Sequence, residues 1–181
     1  MQRDSPLQGR SQGFESPRLH NPRSYARTVA VTLREITDDR DAVLALSVAP
    51  QQERFVSSVR ESLADAAAHP EANPWYRAVC SGGTPVGFVM LSWNVVPQPP
   101  DIIGPWFLWK LLVDRGHQRL GYGAEVVHQV AAIVRAQGAT ELLTSYVPGG
   151  DGPAGFYERL GFAPTGEVDG EGEIIVRLPL A

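Results

Sequence analysis

The sequence predicts an α+β fold: a mixed, mostly antiparallel twisted sheet of about 6–7 strands flanked by about 4 helices. Three observations carry that reading. Strand-like segments come first, a strand–helix–strand–helix stretch follows, and strands close the chain, which is not the strict alternation of a doubly wound sheet. Trp106 to Val113 is apolar at nearly every position, so both faces are buried and the segment is a central strand. The length, 181 residues, suits one domain, or one domain plus a tail.

The elements follow in order. Val29, Val31 and Leu33 alternate with Ala30, Thr32 and Arg34, the period of a strand with one buried face. Asp38, Asp39 and Asp41 supply a helix start, and Val43, Leu44 and Leu46 its short apolar stripe, ended by Pro50. A second helix is expected from about Gln51 to His69, with Phe55, Val59, Leu63 and Ala66 or Ala67 on one face and Pro70 as its stop. Trp75 to Cys80 and Pro85 to Val95 are apolar strands joined by the hairpin turn Ser81-Gly82-Gly83-Thr84. A loop with Pro97, Pro99 and Pro100 leads to the central strand. Gly121 to about Gln137 is a helix with Val127, Val130 and Val134 facing inward, and Thr140 to Val147 is a strand. A short helix around Pro153–Leu160 precedes strands near Phe162–Val168 and Glu173–Leu178. Residues 1–27, rich in Ser, Pro, Arg, Gln and Gly without apolar periodicity, read as a disordered basic tail before a domain over residues 28–181.

Charge separates along the same boundary. The net charge of −4 combines +3 in residues 1–27 (five arginines against Asp4 and Glu15) with −7 in the remainder, which holds eleven basic and eighteen acidic residues. An acidic body argues against nucleic acid as the main partner and mildly favours a cationic ligand. The single cysteine, Cys80, excludes an intramolecular disulfide and any multi-cysteine metal site, and reads as a strand core residue. No apolar run approaches the roughly 18 residues of a membrane span, and the N-terminus lacks the apolar centre of a signal peptide, so neither a membrane nor export is expected and the setting is cytoplasmic.

The most informative stretch runs from Leu111-Leu112-Val113-Asp114 through Arg115-Gly116-His117-Gln118-Arg119-Leu120 to Gly121-Tyr122-Gly123. It carries the chain from a central strand through a glycine-containing turn directly into a helix. The first N–H groups of a helix have no internal partner and the dipole adds positive potential there, so the turn suits a phosphate or pyrophosphate. On spacing alone, a strand-to-helix turn without a ligand fits equally well. A Walker loop is excluded because no Gly-Lys-Ser or Gly-Lys-Thr follows, and Val126 breaks the dinucleotide Gly-x-Gly-x-x-Gly pattern.

Gln118-x-x-Gly121-x-Gly123 resembles the acetyl-CoA signature of the GNAT superfamily of N-acetyltransferases, and Gly155-Phe156-Tyr157-Glu158-Arg159-Leu160-Gly161-Phe162 resembles that family's second signature. The resemblance covers residues 28–181. Leu33-Arg34-Glu35-Ile36-Thr37, Val86-Gly87-Phe88-Val89-Met90, Trp109 to Asp114 and Pro164-Thr165-Gly166-Glu167 are also similar in texture to bacterial spermine/spermidine acetyltransferases. The resemblance implies acetyl-CoA as co-substrate and a primary amine, in the narrower version a polyamine, as acceptor. It further implies that backbone around Leu112 and Val113 holds the pantetheine arm, and that Gln118, Arg119, Leu120, Gly121, Tyr122 and Gly123 take the pyrophosphate. Arg119 stands where the family often has glycine, and Arg115 where proline is common. Tyr157 matches the tyrosine that protonates the departing thiolate in many members, while an aromatic in this setting also suits the core. The base that deprotonates the amine has no motif here; Glu53, Asp101 and Asp114 are candidates by region, each equally readable as structural.

Gly149, Gly150, Asp151 and Gly152 fall where the family opens its strand pair to admit the cofactor, and loop geometry alone explains the glycines equally well. Relatives often dimerise, so a homodimer stays open. His117 and His128 lack a metal-binding pattern, and no metal is expected. Trp93, Trp106 and Trp109 suit either core or an acceptor cleft, and Glu167, Asp169, Glu171 and Glu173 either decorate an exposed hairpin or attract a polyamine. The rival readings are a non-catalytic acyl-CoA-binding sensor and an acetyltransferase of protein lysine or N-terminal amines.

Overall fold

Why a sheet should open in its middle is answered by the register of its strands. In the computed structural model, which describes residues 30–181, seven strands form one sheet in the order β1-β2-β3-β4-β5-β7-β6. They are β1 (Thr32–Arg34), β2 (Pro74–Ser81), β3 (Thr84–Trp93), β4 (Trp106–Val113), β5 (Glu141–Tyr146), β6 (Ala163–Val168) and β7 (Ile174–Pro179). The helices are α1 (Arg40–Leu44), α2 (Val59–Ala68), α3 (Tyr122–Ala136) and α4 (Ala154–Arg159). This is the mixed α+β sheet the sequence predicts: every pairing is antiparallel except β4 with β5. The apolar segment Trp106–Val113 is the middle strand of the seven. The expected tail over residues 1–27 lies outside the described residues, as does Val29.

The Ser81-Gly82-Gly83-Thr84 hairpin closes with Ser81 opposite Thr84 and positive φ at both glycines (56° and 87°), the turn that glycine pairs supply between twisted strands. One expectation is corrected. Gln51–His69 is not a continuous helix: a single 3-10 turn over Pro50–Gln52 and an irregular stretch precede α2, which starts at Val59 with Ser58 as its cap. There the Ser58 hydroxyl accepts the Glu61 N–H (3.2 Å) while Glu61 Oε2 accepts the Ser58 N–H (2.9 Å). This reciprocal cap, a Ser-x-x-Glu signal present in the sequence, fixes the helix start eight residues later than the apolar stripe suggested. Phe55 therefore belongs to a loop.

Two apolar layers sandwich the sheet. On one face Val126, Val127, Val130 and Val134 of α3 pack with Val89, Leu91, Leu108, Leu142 and Val176, all buried. On the other, Val43 of α1 and Val59 of α2 pack with Phe88, Met90 and Leu112. Beside them Phe107, Leu143 and Ile175 form a smaller cluster.

The parallel pair β4–β5 is short, with only Phe107 opposite Leu143 and Leu108 opposite Thr144. Beyond these residues the strands diverge. A bulge in β4 accompanies the split: Leu91 opposes Leu108 and Met90 opposes Lys110, leaving Trp109 as the extra residue. A bulge bends its strand and leaves the inserted residue outside the ladder. Leu108 and Leu111 consequently pack toward α3, whereas Phe107, Trp109 and Leu112 belong to the opposite face.

Candidate active site

The split between β4 and β5 opens a cleft of about 1020 Å³. Its walls include Trp109, Lys110, Leu111 and Val113 from β4, Thr144, Ser145 and Tyr146 from β5, and Phe156 and Tyr157 from α4. Gln118, Arg119, Gly121, Tyr122 and Gly123 line it at the start of α3.

Backbone direction on β4 decides which groups face the split. A side chain added at Gly87 would meet the Leu112 carbonyl oxygen at 2.5 Å, so that oxygen points to β3. The Asp114 N–H also points that way, donating to Val86 O at 2.9 Å. Groups alternate sides along a strand, so Leu111 and Val113 turn their N–H and C=O to the open side. The Leu112 side chain is buried between β4 and the α1–α2 layer. Of the expected pair Leu112 and Val113, the backbone of Val113 faces the cleft, and Leu111 joins it.

The turn after β4 is braced from within. Asp114 Oδ1 accepts the Gly116 N–H (2.9 Å), Oδ2 accepts the Ser47 N–H (3.1 Å), and His117 Nδ1 lies 3.3 Å from Oδ1. Burial alone would raise the Asp114 carboxyl, but these hydrogen bonds outweigh it and hold it below the ordinary aspartate value. Gln118 Nε2 donates to the Val113 carbonyl (3.0 Å) and to Gln52 Oε1 (2.8 Å), pinning the loop to the end of β4. No backbone N–H from Gln118 to Ala124 donates to any acceptor among the described residues, and the first within α3 to do so is Glu125, to Gly121 O at 3.1 Å. Gly121 caps the helix at φ 91°, a conformation open to glycine, and a side chain on Gly123 would press on Phe156 at 3.3 Å. The result is a row of unsatisfied donors at the positive end of a fifteen-residue helix, an anion cradle at one end of the cleft. Arg119 lies in this row with φ 61° and an exposed side chain on the cleft.

Tyr157 is buried at 8% exposure yet lines the cleft. Its ring stacks on Tyr146 and meets Phe156 and Phe162 edge-on. Tyr157 is thus a core aromatic that also borders the cleft. Burial pushes the phenol above its ordinary value; the neighbouring Thr144 side chain works against the rise and the charge of Glu173 adds to it. It is protonated at neutral pH.

A second cavity, of about 430 Å³, lies on the α2 side of the sheet and shares Trp109, Lys110, Ser145, Glu171 and Glu173 with the main cleft. It holds Asp65, Glu71, Asp101, Asp169, Glu171 and Glu173 against Lys110 and His69. Glu71 is paired with His69 at 3.0 Å and Asp65 with Lys110 at 3.8 Å, which leaves Asp101, Asp169, Glu171 and Glu173 without a basic partner among the described residues. Asp101 lies here, exposed Glu53 lies on the main cleft, and Asp114 lines neither. The tryptophans separate as well: Trp93 stacks on Trp75 and meets Trp106 edge-on, while Trp109 lines both cavities. Cys80 is buried in the α1–α2 layer, with its thiol pushed up by burial. Among the described residues no group of three or more His, Cys, Asp or Glu is placed to hold a metal, and no helix is long and apolar enough to cross a membrane.

Residues 39–162 match the family model described as the acetyltransferase (GNAT) family, over more than half of the chain. The chain belongs to this family. It is an acyltransferase, and its fold recurs in solved GNAT structures. An acetyltransferase from Thermus thermophilus is 22% identical, with 83% of this chain and 97% of that one covered at a TM-score of 0.59. The PaiA N-acetyltransferase of Thermoplasma acidophilum, in complex with coenzyme A, is 14% identical, with 83% and 99% covered at a TM-score of 0.55. Ard1 from Thermoplasma volcanium is 18% identical, with 84% and 99% covered at a TM-score of 0.57. At these identities the likeness is one of fold. No curated protein matches the sequence. Against this GNAT architecture, sequence reasoning missed the second cavity and the part-burial of Glu173, because both depend on which strands lie side by side.

Proposed function

We propose that the protein transfers an acetyl group from acetyl-CoA to a primary amine, and that the domain from residue 28 onward carries the activity. The split between β4 and β5, with unsatisfied N–H groups at one end and an acidic cavity at the other, is the observation that carries this reading. A protein of the same fold, PaiA from Thermoplasma acidophilum, is in complex with coenzyme A. Here the pantetheine arm lies along the free edge of β4 against Leu111 and Val113, and the pyrophosphate takes the N–H groups from Gln118 to Gly123, with Arg119 adding charge. The amine attacks the thioester directly, and Tyr157 protonates the leaving thiolate from its buried position beside Thr144.

The acceptor enters through the second cavity. Its surplus of carboxylates favours a cationic molecule and disfavours an acidic one. The same surplus supports a polyamine, whose several ammonium groups would find more than one carboxylate. Incubation of the purified protein with acetyl-CoA and a panel of di- and polyamines is expected to release free CoA thiol. Measurable acetyl-CoA affinity with no turnover across polyamines, amino acids, aminoglycosides and peptides would support the non-catalytic sensor instead.

A further inference from the structure

Glu173 occupies a place that no motif marks. It follows the turn after β6 and immediately precedes β7, where Ile174 pairs with Tyr146 at the end of β5. Its backbone is held at both ends, the N–H donating to Asp169 Oδ1 at 2.9 Å and the carbonyl accepting the Asp169 N–H at 3.1 Å. The side chain reaches β5, where Oε2 accepts the Ser145 hydroxyl at 2.7 Å. Ser145 and Thr144 are neighbours on a strand and point to opposite faces of the sheet. Thr144 faces Tyr157 and the α3 layer, so Ser145 brings Glu173 to the other face, at the junction of the two cavities.

We infer that Glu173 is the general base that removes the proton from the acceptor ammonium. This rests on the acetyl-transfer reading above. The rival carboxylates are placed for other tasks: Asp114 is consumed by the turn, Glu53 is exposed on the main cleft alone, and Asp101 lies in the second cavity alone. Glu171 and Glu173 border both, but Glu171 is exposed, whereas Glu173 is part-buried and held by Ser145 where an amine arriving from the acidic side meets a thioester held in the split. The carboxylate takes one proton from the ammonium, leaving a neutral amine. The nitrogen lone pair forms the C–N bond at the thioester carbonyl carbon, and the C–S bond breaks with its electrons on sulfur. Tyr157 gives its phenolic proton to the thiolate and recovers one from the nitrogen of the new amide. The proton on Glu173 passes to solvent. Base and acid thus act from opposite faces of the sheet.

The surroundings hold the carboxyl of this base above its ordinary value. Burial pushes the Glu173 carboxyl up; the Ser145 hydrogen bond and Lys110 on β4 oppose the rise, while Asp169 and Glu171 add to it. Tyr157 on α4 faces it across β5, and Asp65, His69, Glu71 and Asp101 share its cavity.

The test is a pH profile of kcat/KM with acetyl-CoA and the best acceptor of the di- and polyamine panel, run beside calorimetric CoA binding. For the unaltered protein the rate should climb with pH along a limb lying above the usual carboxylate range. Glu173→Gln should lose that limb and about a hundredfold in rate at neutral pH, with CoA affinity unchanged. Ser145→Ala should move the limb to higher pH and lower the rate at neutral pH, because a hydrogen bond that favours the charged form and positions the carboxylate is gone. Glu173→Asp should keep the limb at a reduced rate. A purely structural Glu173 would move neither limb. If the unaltered protein acetylates an amine while Glu173→Gln keeps its rate and limb, the assignment to Glu173 alone is overturned. If the unaltered protein binds CoA and acetylates nothing, the acetyl-transfer reading falls and this assignment with it.

Discussion

Arg119 holds φ 61°, a backbone conformation that costs an L-residue roughly 1–2 kcal/mol, in a loop where the family often carries glycine. Glycine relieves that strain but gives back roughly 0.5–1 kcal/mol through the freedom of the unfolded chain. Arg119→Gly is therefore expected to leave the thermal midpoint unchanged or slightly higher while weakening CoA affinity; a clear fall in the midpoint would show that contacts of the arginine outweigh its strain. Asp114 gives a second residue-scale outcome. Its folded carboxyl lies below the ordinary value, so its contribution to stability is complete above the unfolded aspartate value and disappears as pH falls through the lower folded one. Asp114→Asn should cost about 1–3 kcal/mol at neutral pH in urea titrations, and that deficit should shrink below about pH 4. Glu173 runs the other way. A raised folded value means that its ionised form is the less stable one, so the native state gains from its protonation at low pH and loses that gain as pH rises. Glu173→Gln should raise the thermal midpoint at neutral pH and lose the advantage in acid. The buried aromatic Tyr157 was visible in the sequence as a motif position, but whether it faced the core or the cleft was not, because a residue packed among Tyr146, Phe156 and Phe162 can do both.

Elements position these residues through their ends. The α2 helix begins where Ser58 and Glu61 cap it, so Ser58→Ala should cost about 1 kcal/mol in chemical denaturation without changing CoA affinity. At α3 the cap is Gly121 at φ 91°, and Gly121→Ala should both destabilise the protein by about 1–2 kcal/mol and weaken CoA binding, since the strained turn carries the free N–H row. The period of α3 and the apolar run of β4 were legible because each reports burial that repeats along one segment. The start of α2 was misplaced because the apolar stripe extends back to Phe55, whereas the reciprocal cap fixes the first turn. No periodicity encodes the bulge at Trp109, which depends on how β4 lies against β3.

At the scale of the whole molecule, the acidic body and the acidic cavity act on the acceptor from a distance. The KM of a polyamine should rise with ionic strength, as salt screens attraction over about 10 Å at 0.1 M; a KM independent of salt would remove the electrostatic argument for a polycation. Removal of residues 1–27 should leave turnover and CoA affinity unchanged in the same assays. The amino-acid sequence by itself determined the order of elements, the central place of Trp106–Val113 and the glycine turn into α3, because each is written in neighbouring residues. Only the tertiary structure decided that β4 and β5 part after two paired residues, that Leu111 rather than Leu112 shares the open edge with Val113, and that Glu173 meets Ser145 from 28 positions away. The physical reason is common to all three. Strand register joins residues far apart in the chain, and a shift of one position would turn backbone groups to the other edge of the strand and side chains to the other face of the sheet.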